Sequence, residues 1–392
     1  MFEIKKSTFE KYIKIAELAS SSRGVDPIRK SILVTSNKDD KTLILRSNNE
    51  VMEVIVTFMN HPDVKITKSE EVCIENFIVK VLGTMPSGEV KFTKSAKNLN
   101  SSINTKRNRF ALLDTNEFPK EIKIHGLEYQ EVGKEIVDWF RFCGIAVAEI
   151  ADRPIYQTFF INPHTKTLMT GDGDQICRWV DLDLPGNIAH PDASMINPVL
   201  SLIKNLLGDK DTLNAFFGKW SSFELNLWDE QLEAFTLRIE AKIISAEGEF
   251  SEKAEEWIKK LTEKKPELSF NIKKKDLLPI LDTCLVYFDK IYSEGKSNSH
   301  TVITAWNDRD KPYITFTMDI PNYSELREEV PCENIEGNLE YQMFFHSKDL
   351  HEAVTVMGEN LIFKFYGNKT PFLVFDGDNS NIIYFQVPMV ET

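Results

Sequence analysis

The chain has 392 residues, 42 % hydrophobic and 27 % charged, the make-up of an ordinary globular protein long enough for two or three domains. A formal net charge of −13 excludes a surface that is basic throughout, so any nucleic-acid contact must be a local patch. No apolar run reaches the roughly 18 residues of a membrane helix, MFEIKKSTFEKYIKI lacks the layout of a signal peptide, and the scattered cysteines (Cys73, Cys143, Cys177, Cys284, Cys332) form no C-x-x-C pair and read as reduced thiols of a cytoplasmic protein.

In chain order, STFEKYIKIAELAS (7–20) opens with Ser7 and Glu10, a capping box that predicts a first helix. Alternating runs in SILVTSNKDDKTLILRS and EVMEVIVTF predict strands. TKSEEVCIENFIVKVLG (67–83) pairs Thr67 with Glu70 as a second capping box and ends on Gly83, predicting a second helix. RNRFALLDTNEFPKEIKI (107–124) then carries a strand with Phe110 and Leu112 into a polar turn and Phe118-Pro119.

The order begins again. YQEVGKEIVDWFRFCG (129–144) places Val132, Ile136, Trp139 and Phe140 at helical spacing, and YQTFFINPHTKTLMTGDGDQICRWVDL reads as strands. NPVLSLIKNLLG (197–208) predicts a helix with Asn197 as N-cap and Pro198 at its first position. AKIISAEGEFSEKAEEWI (241–258) again ends an alternating run in a small turn, an acidic residue and Phe250, then a charged segment. A third round follows. KKDLLPILDTCLVYFD (274–289) carries Leu278, Leu281 and Leu285, with Pro279 expected in the first turn or at a kink. HTVITAWNDRDKPYITFTMDI supplies strands, SKDLHEAVTVMG (347–358) a helix opening on Ser347, and IIYFQVPMVET the last strand.

Helix, strands, helix, strands thus occurs three times, and the reading is an α+β protein of three similar domains, 1–124, 125–264 and 265–392. Any single α+β domain offers such an order; its threefold recurrence, with matching caps and exits, favours repetition. Strand-rich units have edges that must be paired or covered. Joining their sheets side by side does so, and favours a curved or closed assembly.

Catalytic patterns do not emerge. GDGD (171–174) lacks the other ligands of a calcium loop and reads as a turn between strands. His346 and His351 lie five apart, the wrong spacing for two ligands on one helical face, and no G-x-S-x-G, Walker or Rossmann pattern occurs. The expectation is a binding protein with no enzyme activity, metal or cofactor. A hydrolase built on an unrecognised carboxylate pair is the reading it displaces.

The strand RFALL followed by EFP, the loop TGDGDQICRW, the stretch GEFSEKAEEW and the terminal YFQVPMV together resemble the bacterial and phage DNA polymerase sliding clamp, the DNA polymerase III β subunit, over the whole chain. The resemblance implies three clamp domains per chain and two chains per ring, with helices lining a central hole and sheets outside. It implies a processivity factor without enzymatic activity, at work in the cytoplasm of a bacterial or phage-infected cell. The partners implied are double-stranded DNA, bound without regard to sequence, a polymerase and a clamp loader held through short peptide motifs, and a second copy of the chain.

Matched position by position, the resemblance assigns DNA contacts to Arg23, to Arg153 and Tyr156, and to Lys290 and Lys296. Lys11, Lys14, Lys68, Lys80 and Lys204 could add positive potential on helices, though for each the plainer reading, a solvated helix face, comes first. A peptide cleft is assigned to Gly173, Asp174, Ile176, Trp257, Val387, Pro388 and Met389; the competing reading of 387–389 is an edge strand finishing the core, with no pocket. Ring closure is assigned to Phe110 and Leu112 facing Ile291 and Tyr292 of a second copy. The GDGDQ loop lacks the basic residue of the family pattern and the 129–144 helix is acid-rich, so a phage clamp fits better than a cellular one. The alternative is a monomeric clamp-fold protein, a peptide-binding scaffold or an inhibitor of a host clamp.

Overall fold

A computed structural model describes residues 1–20, 27–148, 152–247, 252–293, 301–308, 311–320, 324–337 and 341–389. The chain is α+β and divides into two compact units, Met1–Val137 with Ser194–Ser245, and Asp138–Ala193 with Ala246–Thr392. Its longer helices are α1 (Lys6–Ala16), α2 (Asn76–Gly83), α3 (Ile136–Cys143), α4 (Ala193–Leu206), α5 (Glu252–Thr262), α6 (Lys274–Ser293) and α7 (Ser347–Val356).

In the first unit, α1 buries Phe9, Tyr12, Ile13 and Ala16, one apolar stripe at helical spacing. Its capping box does not form: the N-cap is Lys5, without a side-chain bond. Lys6 instead donates to the Gly83 carbonyl at 3.0 Å, a cation on the exposed carbonyl end of α2. The second capping box also fails, because Glu70–Glu75 is a strand antiparallel to Ser31–Asn37. Val72 and Ile74 meet Val34 and Ile32 there and are fully buried. That burial outweighs a cap worth about 1 kcal/mol.

An eight-stranded sheet runs Gln130–Glu131, Thr212–Phe216, Trp220–Asp229, Ala234–Ile244, Met52–Met59, Thr42–Asn48, Ser31–Asn37, Glu70–Glu75. Its seam joins Met52–Met59 to Ala234–Ile244, with Val54 opposite Ala241, Val56 opposite Ile239 and Phe58 opposite Leu237. A five-stranded sheet in the same unit ends on Lys106–Ala111.

The second unit repeats the device. Its eight-stranded sheet runs Phe160–Asn162, Thr167–Gly171, Gln175–Trp179, Ile382–Gln386, Phe372–Asp376, Asn360–Phe365, Leu268–Lys273, Glu333–Gly337. Here the seam joins Gln175–Trp179 to the terminal strand. A four-stranded sheet begins at Ser324–Pro331 and continues through Lys311–Ile320, Thr301–Asp308 and Gln342–Phe345. Each unit thus holds one eight-stranded sheet whose seam joins strands far apart in sequence.

Several helix ends differ from expectation. Helix α3 starts at Ile136, not at 129, since Gln130–Glu131 pairs with Thr212–Phe216. Asn197 is not an N-cap: α4 starts at Ala193 and runs through Pro198, because Ala193 and Ile196 extend the buried face of Val199, Leu200 and Ile203 by a turn. Helix α6 likewise continues past Pro279. Helix α5 stands where the sequence reading saw only a charged segment.

Candidate functional site

In the second unit, Ile176 lies opposite Phe385 and Gln175 opposite Gln386 across the antiparallel seam. Beyond that pairing, the Val387 amide donates to the Asp174 carbonyl at 2.8 Å and the Met389 amide to the Phe344 carbonyl at 3.0 Å. These bonds carry the tail of the terminal strand from one sheet to the next. Beneath it, Phe160, Met169, Leu373, Ile383 and Phe385 form an apolar cluster, with Ile176 and Val387 packed against it.

Helix α5 lies over this cluster. Ile258 and Leu261 are 1 % and 2 % exposed while Trp257 is 41 % exposed, so one face is buried and the indole is left at the surface. Trp257 meets Phe385 edge-on, with ring centroids 4.8 Å apart. Between the helix, the seam and the 153–156 turn lies a groove of about 670 Å³. Ile155, Ile176, Phe385 and Val387 give it an apolar floor, and Tyr156, Trp257 and Arg153 line it too. Lys260 and Glu256, also in the lining, pair at 3.6 Å and largely cancel.

The 171–175 segment is the turn the sequence predicted. The Asp172 carboxylate accepts from the amides of Asp174 and Gln175, both at 2.9 Å, an Asx-type closure. Gly173 sits at φ +110°, with open space around its α-carbon; only glycine adopts that backbone without strain. Partial burial, then the carboxylates of Asp172 and Asp349, push the Asp174 carboxyl above its ordinary range, with His346 acting the other way. Among the described residues no cluster of His, Cys, Asp and Glu is arranged to hold a metal ion.

Among the described residues, the Lys106–Ala111 and Ser324–Pro331 strands are edges of the two smaller sheets. On Lys106–Ala111, Phe110 is buried and meets Phe77 edge-on at 6.0 Å. Phe77 itself is 50 % exposed. The edge strand also carries Lys106, Arg107 and Arg109, whereas the other edge, Ser324–Pro331, carries Glu325, Glu328 and Glu329 with one cation, Arg327, 4.0 Å from Glu329.

No protein-family model matches the chain, and no curated protein matches it in sequence. Solved structures do. The DNA polymerase sliding clamp from Bacillus subtilis superposes with a TM-score of 0.80 at 15 % identity, covering 100 % of this chain and 99 % of that one. The β subunit from the DNA polymerase of Streptococcus pyogenes gives 0.80 at 14 % identity, covering 100 % of both chains. The chain has the sliding-clamp fold. The DNA polymerase III β subunit from Thermotoga maritima, at 16 % identity and a TM-score of 0.75 over 100 % of both chains, agrees.

Within this sliding-clamp fold, the structure brings Gly173, Ile176, Trp257 and Val387 together in the groove. Asp174 adjoins it through its bond to Val387, whereas Pro388 is buried and neither it nor Met389 lines it. Phe385 lines it beside Trp257. Arg153 and Tyr156, expected at DNA, also line the groove. Arg23 and Lys296 lie outside the described residues; Lys290, Ile291 and Tyr292 fall in the last turns of α6, with side chains outside them as well.

Lys11, Lys14, Lys80 and Lys204 are exposed on helices, but Lys68 lies on a loop and pairs with Glu70. Leu112 is half-buried beyond the edge strand. Phe77 and Phe385 were not singled out from the sequence. The spacing of Ala254, Trp257, Ile258 and Leu261 was a readable sign of α5.

Proposed function

We propose that this chain is a DNA polymerase processivity factor: a sliding clamp that closes as a two-chain ring around duplex DNA and tethers replication proteins by short peptides, without chemistry of its own. The observation that carries the reading is an apolar groove at the terminal strand of a chain whose full length has the clamp fold. A groove of this size with an exposed indole suits the apolar side chains of a short segment. Three domains, near 1–124, 125–264 and 265–392, fit the two sheet seams, each of which joins strands distant in sequence. Helices would face the hole, with Arg23, Lys290 and Lys296 among the phosphate contacts and Arg153 and Tyr156 serving the groove. Such contacts act by counterion release and need no sequence preference.

Ring closure would add the Lys106–Ala111 edge of one copy to the Ser324–Pro331 edge of another, where basic and acidic side chains are complementary. Phe77, Phe110 and Leu112 on one side, with Ile291 and Tyr292 on the other, would supply the apolar part. The place of action is the cytoplasm of a bacterial or phage-infected cell, with a polymerase and a clamp loader as partners; no described helix is long and apolar enough to cross a membrane.

Mass in solution and particle images test this. The ring requires twice 45.1 kDa and a toroid with a hole wide enough for a duplex. A persistent monomer at micromolar concentration would sink it. The second reading, a monomeric clamp-fold scaffold or inhibitor of a host clamp, draws support from the net charge of −13, which opposes a polyanion. That outcome would favour it.

A further inference from the structure

We propose that the groove selects peptides that place a lysine or arginine beside Asp174, next to the apolar residues that fill its floor. This rests on the docking reading of the groove given above. The argument begins with which charges are already spent. Lys260 is balanced by Glu256, and the Asp172 carboxylate is consumed by the turn. Two charged groups remain without a side-chain partner among the described residues, Arg153 in the lining and Asp174 at its margin. They do not neutralise each other: Asp172, Asp349 and His346 are the charges that act on Asp174, and no guanidinium is among them.

The surroundings of Asp174 are rich in acceptors. Asp349 approaches His346 Nδ1 at 2.9 Å, and Gln386 gives its amide N–H to the His346 carbonyl at 2.9 Å. Gln386 Oε1 and Ser347 Oγ are buried and make no hydrogen bond; the two residues are 1 % and 0 % exposed. An unpaired carboxylate beside Asp172 and Asp349 is a place where a cation gains and a second anion loses. The position is reachable, since Asp174 is exposed. It is also fixed relative to the floor, because its carbonyl holds the Val387 amide and Gly173 sets the turn. Arg153 gives the opposite preference elsewhere in the lining, so the charges would orient a peptide as well as hold it.

The test uses the full chain and fluorescently labelled hexapeptides with a central Leu-Phe pair, flanked at one end or the other by lysine or by glutamate. Anisotropy titrations at low salt are expected to show one lysine-flanked peptide binding about fivefold more tightly than its glutamate counterpart, the scale of a solvent-screened ion pair. Asp174→Lys should reverse that order, and raised salt should shrink it. The variant leaves the fold intact, as the side chain is exposed and holds no bond among the described residues. If glutamate peptides bind the native chain equally well or better, or if Asp174→Lys leaves the order unchanged, the selectivity is wrong while the docking groove stands. If no peptide of the set binds, or if Trp257→Ala leaves all binding untouched, the docking reading falls and takes the selectivity with it.

Discussion

Lys242 lies directly opposite Glu53 across the seam of the first unit and donates to it at 3.0 Å, with both side chains buried. The pair also grips a third segment. Lys242 donates to the Ile122 carbonyl at 2.9 Å, and the Ile122 amide donates to Glu53 at 3.1 Å. Nearby, Asn48 bonds the Lys120 carbonyl at 2.9 Å and Arg46 the Pro119 carbonyl at 3.0 Å. The stretch after Phe118-Pro119 is thereby tied to the strands it links. Lys242→Met would deprive a buried carboxylate and the Ile122 carbonyl of their ammonium partner, at an expected loss of about 3–5 kcal/mol. Adding Glu53→Leu should recover part of it: an apolar pair removes the stranded charge, while the Ile122 and Asn48 amides lose an acceptor. Urea unfolding of the single and double variants measures the coupling; additive losses would show that the pair is not the source.

The edge strands give a second expectation. Arg107→Glu with Arg109→Glu reverses the charge of one edge and leaves Phe110 in place. It should convert a two-chain species to single chains in light scattering. Mixing it with a Glu328→Lys, Glu329→Lys chain should match both joints, one by the charge swap and one by the native pairing, and hence restore a dimeric mass. Phe77→Ala, which removes an exposed apolar ring, should weaken association at every salt concentration, whereas the charge effect should fade as salt rises. Unchanged mass for all of these variants would rule out edge pairing.

The strands and their alternation were legible because a buried face writes a period of two into the sequence. Leu43 and Leu45, or Val54, Val56 and Phe58, announce their face directly. Helix starts were less legible. Ser7 with Glu10 and Thr67 with Glu70 have the right chemistry, but a cap is a small local term and sheet pairing or a buried stripe overrides it. In the candidate site, Gly173, Ile176, Trp257 and Val387 followed from resemblance, while Phe385 looked like any core strand residue until its ring met Trp257. The Lys242–Glu53 pair could not be foreseen at all, because it depends on the register between strands nearly two hundred residues apart.

Trp257 is the side chain on which peptide affinity should depend most. It is 41 % exposed, so Trp257→Ala removes surface from the groove without opening the core held by Ile258 and Leu261. An anchoring indole is worth about 2 kcal/mol, and the expected loss is roughly thirtyfold in Kd for an apolar peptide. Circular dichroism and the unfolding midpoint should stay near those of the native chain. A variant that binds as tightly as the native protein would remove Trp257 from the site.

The pH dependence of binding follows from Asp174. Its carboxyl is held above the ordinary range by partial burial and by Asp172 and Asp349. For an acid shifted upward the charged form is the disfavoured one in the folded chain, so stability from this group declines as pH rises from the unfolded value through the raised folded value. A cationic peptide binds the ionised form. Its affinity should therefore increase as pH rises toward the raised folded value, and binding just below that value should release a proton. Asp174→Asn should remove the step. Calorimetric titrations in two buffers of different ionisation enthalpy count the released protons. A native chain whose peptide affinity is flat across the carboxylate range would show that Asp174 does not face the bound cation.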